Sequence, residues 1–172
     1  MEWTKIFTYG TLKKGFSNHK LMIELINAGE ARYLGTYQTE DRFPLVCGPY
    51  RVPFLLNFPG RGRAVVGEIY EISPTSLTRI DELEGVSRGH YQRLPIRVTL
   101  VNSLDLDVDV DVIDAEAYFA HSSYADELWK KAGEVGYVVY SENEAKGYVS
   151  RNDRPPHLTF LDHISIFLSS SS

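Results

Sequence analysis

The chain has 172 residues, of which 43% are apolar, 24% charged and 12% aromatic, with a net charge of −5 and a single cysteine, Cys47. That length fits one compact domain, and the aromatic content argues against general disorder. One cysteine excludes an internal disulfide framework and an all-cysteine metal site, and the acidic balance with only two basic pairs (Lys13-Lys14, Lys130-Lys131) disfavours a nucleic-acid or polybasic membrane role.

Lys5 to Tyr9 is β-branched and aromatic and stops at Gly10, which reads as a first strand ending in the tight turn Gly10 to Gly15. Asn18 is placed to cap a helix whose apolar face is Leu21, Met22, Leu25 and Ile26, and Ala28-Gly29 ends it. Tyr33 to Tyr37 reads as a strand. Phe43 to Val46 and Phe54 to Phe58 are short apolar runs set among prolines, which confines them to short or edge strands.

Ala64 to Ile72 is the clearest strand. Ser73-Pro74 then supplies an N-cap with proline in the first turn, and Leu77, Ile80 and Leu83 mark a buried helix face that closes at Glu84-Gly85. Tyr91 to Val101 and Ala115 to Ala120 are further strands, and Tyr124 to Lys131 a short helix. Between Leu104 and Ile113 apolar residues alternate with Asp105, Asp107, Asp109 and Asp111. Carboxylates about 7 Å apart along one strand are too dispersed for one ion, so this is read as a solvated face that discourages edge pairing. The chain turns polar from Ser141, carries a last apolar stretch from Leu158 to Leu168, and ends in Ser169 to Ser172, read as a disordered tail. No window resembles a transmembrane helix or a signal peptide, so a cytoplasmic domain spanning residues 1–168 is expected. Many short strands with a few helices imply an α+β fold.

No nucleophile elbow, phosphate-binding glycine loop or zinc spacing is present. Cys47 has no activating neighbour in sequence and reads as a packed thiol. Two segments stand out. In Tyr9-Gly10-Thr11-Leu12 a strand breaks at glycine, which frees backbone N–H groups to hold an anion or oxyanion. In Ile80-Asp81-Glu82-Leu83-Glu84-Gly85 acids crowd a helix C-terminus, where the macrodipole opposes them. Glu84, at the edge of the apolar face, is the acid best placed to turn inward with a raised pKa.

Together these segments resemble the γ-glutamyl cyclotransferase superfamily, whose marks are a Tyr-Gly-Ser/Thr-Leu turn and a Leu-Asp-x-x-Glu-Gly segment, with Ile80 here in place of leucine. Tyr91-Gln92-Arg93 follows at the family's distance. The resemblance is closest to the γ-glutamylamine cyclotransferase branch, which includes plant avirulence-induced-gene-like proteins; it is dense from Ile6 to Val98 and loose over Ala115 to Phe119. It implies a small β-barrel of mixed sheet with flanking helices and conversion of a γ-glutamyl amide, such as ε-(γ-glutamyl)lysine, to 5-oxoproline and a free amine. It further implies Glu84 as the catalytic acid/base and the backbone of Tyr9, Gly10, Thr11 and Leu12 as the substrate grip. Tyr91, and with less support Tyr118, stand between pocket wall and core. The only partner implied is the small-molecule substrate, without metal or organic cofactor, and a monomer is the default. Cyclotransfer on other γ-glutamyl amino acids, and ligand binding without catalysis, are the alternatives.

Overall fold

The computed structural model describes residues 2–101 and 112–170. Seven strands form one sheet: β1 (Thr4–Thr8), β2 (Ala31–Thr39), β3 (Leu45–Cys47), β4 (Pro53–Leu55), β5 (Val66–Ile72), β6 (Tyr91–Leu100) and β7 (Val112–Ala120). Their order is β1-β5-β2-β6-β7-β4-β3, and β1 also pairs in parallel with β7 through Ile6 and Glu116. That last pairing closes β1, β5, β2, β6 and β7 into a five-stranded barrel, which removes the exposed edges of those strands. The β3–β4 hairpin hangs outside the ring, with Leu55 joined to Phe119 of β7. The expected mixed-sheet barrel with flanking helices is the fold observed.

Side-chain alternation sorts the apolar residues into two sets. Phe7, Ile69, Ile96, Val98, Ala115, Ala117 and Phe119 belong to one cluster, which receives no residue from any of the α-helices and fills the barrel. Their strand neighbours Ile6, Tyr70, Ile72, Tyr118 and Ala120 face outward, where the helices cover them. These helices are α1 (His19–Asn27), α2 (Pro74–Leu83), α3 (Ser122–Lys131) and α4 (Phe160–Ser169). Met22, Leu25, Leu77, Ile80, Leu128 and Ile164 are among their buried contributions. None of the described helices is long and apolar enough to cross a membrane.

The caps differ from one helix to the next. Ser73 accepts from the Ser76 N–H at 3.3 Å and Pro74 opens α2, as its sequence requires. Asn18 precedes α1 but its side chain makes no cap bond; it donates instead to Thr11 Oγ1 at 2.8 Å, so the asparagine serves the turn rather than the helix. At α4, Thr159 and Asp162 form a reciprocal capping box. That helix includes Ser169, and Ser170 closes it with an N–H bond to Ile166, so the first two serines of the expected tail are part of the fold. The aspartate alternation falls on residues 102–111, outside the described residues; Val112 and Ile113, at its end, open β7.

Candidate active site

The chain leaves β1 at Thr8 and turns over the barrel end. Lys13 N–H bonds Gly10 O at 3.1 Å and Asn18 N–H bonds Thr11 O at 3.0 Å, which folds the loop back on itself. The N–H groups of Gly10, Thr11 and Leu12 take no acceptor among the described residues. Side chains fix the turn from three directions: Asn18 bonds the Thr11 hydroxyl, His19 Nδ1 lies 2.9 Å from Leu12 O, and the Lys13 ammonium donates to Tyr140 O at 2.7 Å. Lys13 is buried, and burial lowers its pKa. A side chain at position 10 has no room, since a Cβ there would stand 2.5 Å from the Pro53 ring.

Opposite the turn is the end of α2. Its last turn places Glu84 as the C-cap, and Gly85 follows with φ 64°, the left-handed conformation that stops the helix. Glu84 and the turn line one cavity of about 60 Å³, together with Tyr9, Val52, Pro53, Tyr91 and Tyr118. At roughly 10–15 Å³ per water this is room for a few waters, or for the head of a small ligand. Glu84 and the Tyr9, Gly10, Thr11 and Leu12 turn therefore meet in one place, together with both tyrosines left between core and wall.

The two acids of the α2 terminus have opposite environments. Asp81 is saturated: Arg93 grips it through Nε and Nη2 at 2.8 and 3.1 Å, and the Tyr118 hydroxyl donates to it at 2.6 Å. Arg93 also donates to Glu116 at 2.9 Å. The Glu84 carboxyl makes no hydrogen bond or ion pair with a protein group among the described residues. The surface it retains adjoins the cavity, and the enclosing protein drives its pKa from 4.5 up to about 7. Desolvation is the main cause, the nearby Asp81 charge adds to it, and Arg151 opposes it. Tyr9 donates to Tyr118 O at 2.5 Å, and burial keeps its phenol protonated. The Cys47 thiol lies outside the cavity lining and is pushed up to about 11, also by burial, so it is no activated nucleophile.

Asp81, Glu116 and Arg151 carry structural and electrostatic parts at this site that the sequence reading did not assign. Asp81 stood in the motif, and Arg93 was quoted beside it, but nothing in a linear pattern distinguishes a tied carboxylate from a free one. Arg151 belongs to the polar C-terminal region. It donates to Leu83 O at 3.0 Å, and a larger chamber of about 310 Å³, sharing Thr11, Leu12, Val52, Glu84 and Tyr91 with the inner cavity, opens beside it.

A closed barrel with an unpaired carboxyl facing a glycine-broken strand end has the parts of an acyl-transfer site that works by proton transfer. The family model described as gamma-glutamyl cyclotransferase, AIG2-like, matches residues 6–138. An Arabidopsis thaliana protein whose name provisionally assigns it as a gamma-glutamylcyclotransferase is 57% identical, over 97% of this chain and 92% of its own. The gamma-glutamylaminecyclotransferase of Mus musculus is 38% identical over 69% of this chain and 76% of its own. In solved structures, an AIG2-like protein from Mus musculus superposes with a TM-score of 0.73 at 32% identity, covering 90% of this chain and all of that one. The chain belongs to the gamma-glutamyl cyclotransferase, AIG2-like family, a family of cyclotransferase enzymes.

Proposed function

We propose that the inner cavity converts a γ-glutamyl amide to 5-oxoproline and a free amine, with ε-(γ-glutamyl)lysine as the substrate type. The observation that carries this reading is Glu84: a carboxyl without a protein partner among the described residues, held at about 7, in the same cavity as the Gly10, Thr11 and Leu12 N–H groups.

The substrate brings its own nucleophile. Its α-amino nitrogen attacks the γ-carbonyl carbon, closing a five-membered ring, and well-oriented intramolecular attack is worth an effective molarity on the order of 10⁵ M or more. No protein serine or cysteine is needed. Glu84 takes a proton from the α-ammonium, the tetrahedral oxyanion is held by the turn's N–H groups, and protonated Glu84 returns that proton to the departing amide nitrogen as the C–N bond breaks; the second proton lost by the ring nitrogen passes to the released amine, which leaves as an ammonium. A carboxyl near neutrality does both well, since it is neither too weak a base nor too weak an acid at cellular pH. The name of the mouse relative supports a γ-glutamylamine as the substrate class, and a lone, half-buried cysteine fits a cytoplasmic setting.

Replacing Glu84 with Gln tests the assignment. Release of 5-oxoproline from ε-(γ-glutamyl)lysine should fall at least about 100-fold while 5-oxoproline still binds by calorimetry. Retention of more than about a tenth of the wild-type rate would remove Glu84 from the mechanism.

A further inference from the structure

The outer chamber extends from Glu84 and Tyr91 to the segment from Tyr148 to Arg154, all of it beyond the part of the chain matched by the family model. Its charged lining is unbalanced. Lys20, Arg151 and Arg154 face it, and Glu84, at the inner end, is its only acid among the described residues. Neither arginine has a carboxylate within 4 Å among the described residues. Each is instead steadied by a backbone carbonyl: Arg151 by Leu83 at 3.0 Å, Arg154 by Val149 at 2.9 Å. The Arg154 guanidinium also lies over the Tyr50 and Tyr148 rings, 5.2 and 5.7 Å from their centroids. Carbonyl and ring contacts set the geometry of a cation without neutralising it, so the charge remains available to a ligand.

Building on the cyclotransferase reading, we propose that this chamber holds the leaving amine and selects one that carries a carboxylate, an amino acid rather than a simple diamine. The glutamyl half fills the inner cavity, and the amide nitrogen lies at Glu84, where the two spaces join. Whatever is attached to that nitrogen must then extend into the cationic chamber. A lysine carboxylate there meets Arg154 and Lys20 and offsets the ammonium beside it, whereas a diamine brings its ammonium without that compensation into a space that already holds three positive charges. The selection acts on binding, because the carboxylate lies away from the reacting atoms and is unchanged in the transition state.

The test uses ε-(γ-glutamyl)lysine and γ-glutamylcadaverine, which differ only in the lysine carboxylate, with 5-oxoproline release as the readout. Wild-type kcat/KM should favour the lysine compound by about tenfold, expressed in KM, and the preference should shrink with added salt. The double variant Lys20→Gln with Arg154→Gln should bring the two substrates within about twofold by raising KM for the lysine compound. Its kcat/KM for γ-glutamylcadaverine should not fall, and Arg154→Lys should retain part of the preference. Arg151 is left intact because it also acts on the Glu84 proton. Equal wild-type use of both substrates, or a preference that survives the double variant, overturns the chamber's role while leaving cyclotransfer in place. Turnover of neither overturns the cyclotransferase reading, and this one with it.

Discussion

Glu84 and Asp81 are separated by one turn of helix and carry the same functional group, yet their surroundings assign them different tasks. Asp81 spends its oxygens on Arg93 and Tyr118, whereas Glu84 has no such partner and is held at about 7. The rate should follow Glu84 ionisation, with an acidic limb in kcat/KM near pH 7. Its two electrostatic neighbours should move that limb in opposite directions. Arg151→Gln removes a charge that favours the carboxylate and should shift the limb upward; Asp81→Asn removes one that disfavours it and should shift the limb downward. A pH–rate series on the three proteins checks both signs. Asp81→Asn should also cost about 2 kcal/mol in denaturant melts, because it unties a bidentate arginine and a phenol. Stability carries its own signature. Since the folded pKa lies above the ordinary 4.5, the native state holds the proton more tightly than the unfolded chain. Stability from this group is fully present below about pH 4.5 and is lost as pH rises through 7. Glu84→Gln should therefore be more stable than wild type at pH 8, by up to about 3 kcal/mol less what water in the cavity screens, and indistinguishable from it near pH 4.

At the scale of elements, the site depends on three chain reversals. The turn after β1 works because Gly10 lets it approach Pro53, and the α2 terminus works because Gly85 accepts a positive φ against His90. An added Cβ at position 85 would stand 2.2 Å from His90 Nδ1, and His90 is itself stacked on Phe160 at 4.3 Å. Gly85→Ala should cost about 2 kcal/mol or more by thermal melt and lower kcat more than the stability loss explains, since Glu84 moves with the cap. The third reversal is the β3–β4 tip, where Tyr50 and Arg51 both take φ near 60° without being glycine. Tyr50 bonds His163 Nδ1 at 2.9 Å, Arg51 donates to Glu144 O at 2.9 Å, and the Tyr140 hydroxyl donates to Arg51 O at 2.7 Å. These bonds hold a strained tip in place, and with it Val52 and Pro53 on the cavity wall.

Across the whole molecule, the C-terminal third joins the pieces. Tyr140 receives Lys13, Arg151 tunes Glu84, and Phe160 of α4 packs on His90, Tyr91, Phe54 and Tyr124. Phe160→Ala should destabilise the protein by about 2–3 kcal/mol, the lower range for a half-buried aromatic, and loosen the wall behind Tyr91. A chemical melt with a 5-oxoproline titration on the same variant checks both effects.

Much of the fold was legible in the sequence, because period and punctuation are local. Ser73-Pro74 started α2, Glu84-Gly85 ended it, and the strand-then-glycine pattern marked the turn where it lies. The choice of Glu84 over its neighbours rested on its place at the edge of an apolar face. Closure of the barrel through Ile6 and Glu116 could not be read, since the two are 110 residues apart and neither is marked locally. Asn18 looked like a helix cap until Thr11 was brought beside it, and the last apolar stretch, Leu158 to Leu168, was assigned no element, although it forms α4 and packs on partners distant in sequence. The sequence alone marked most of the elements, the turn and the candidate acid, through propensity and spacing. Only the tertiary structure decided which carboxylate is left without a partner and which cations surround it, because desolvation and charge depend on distance in space.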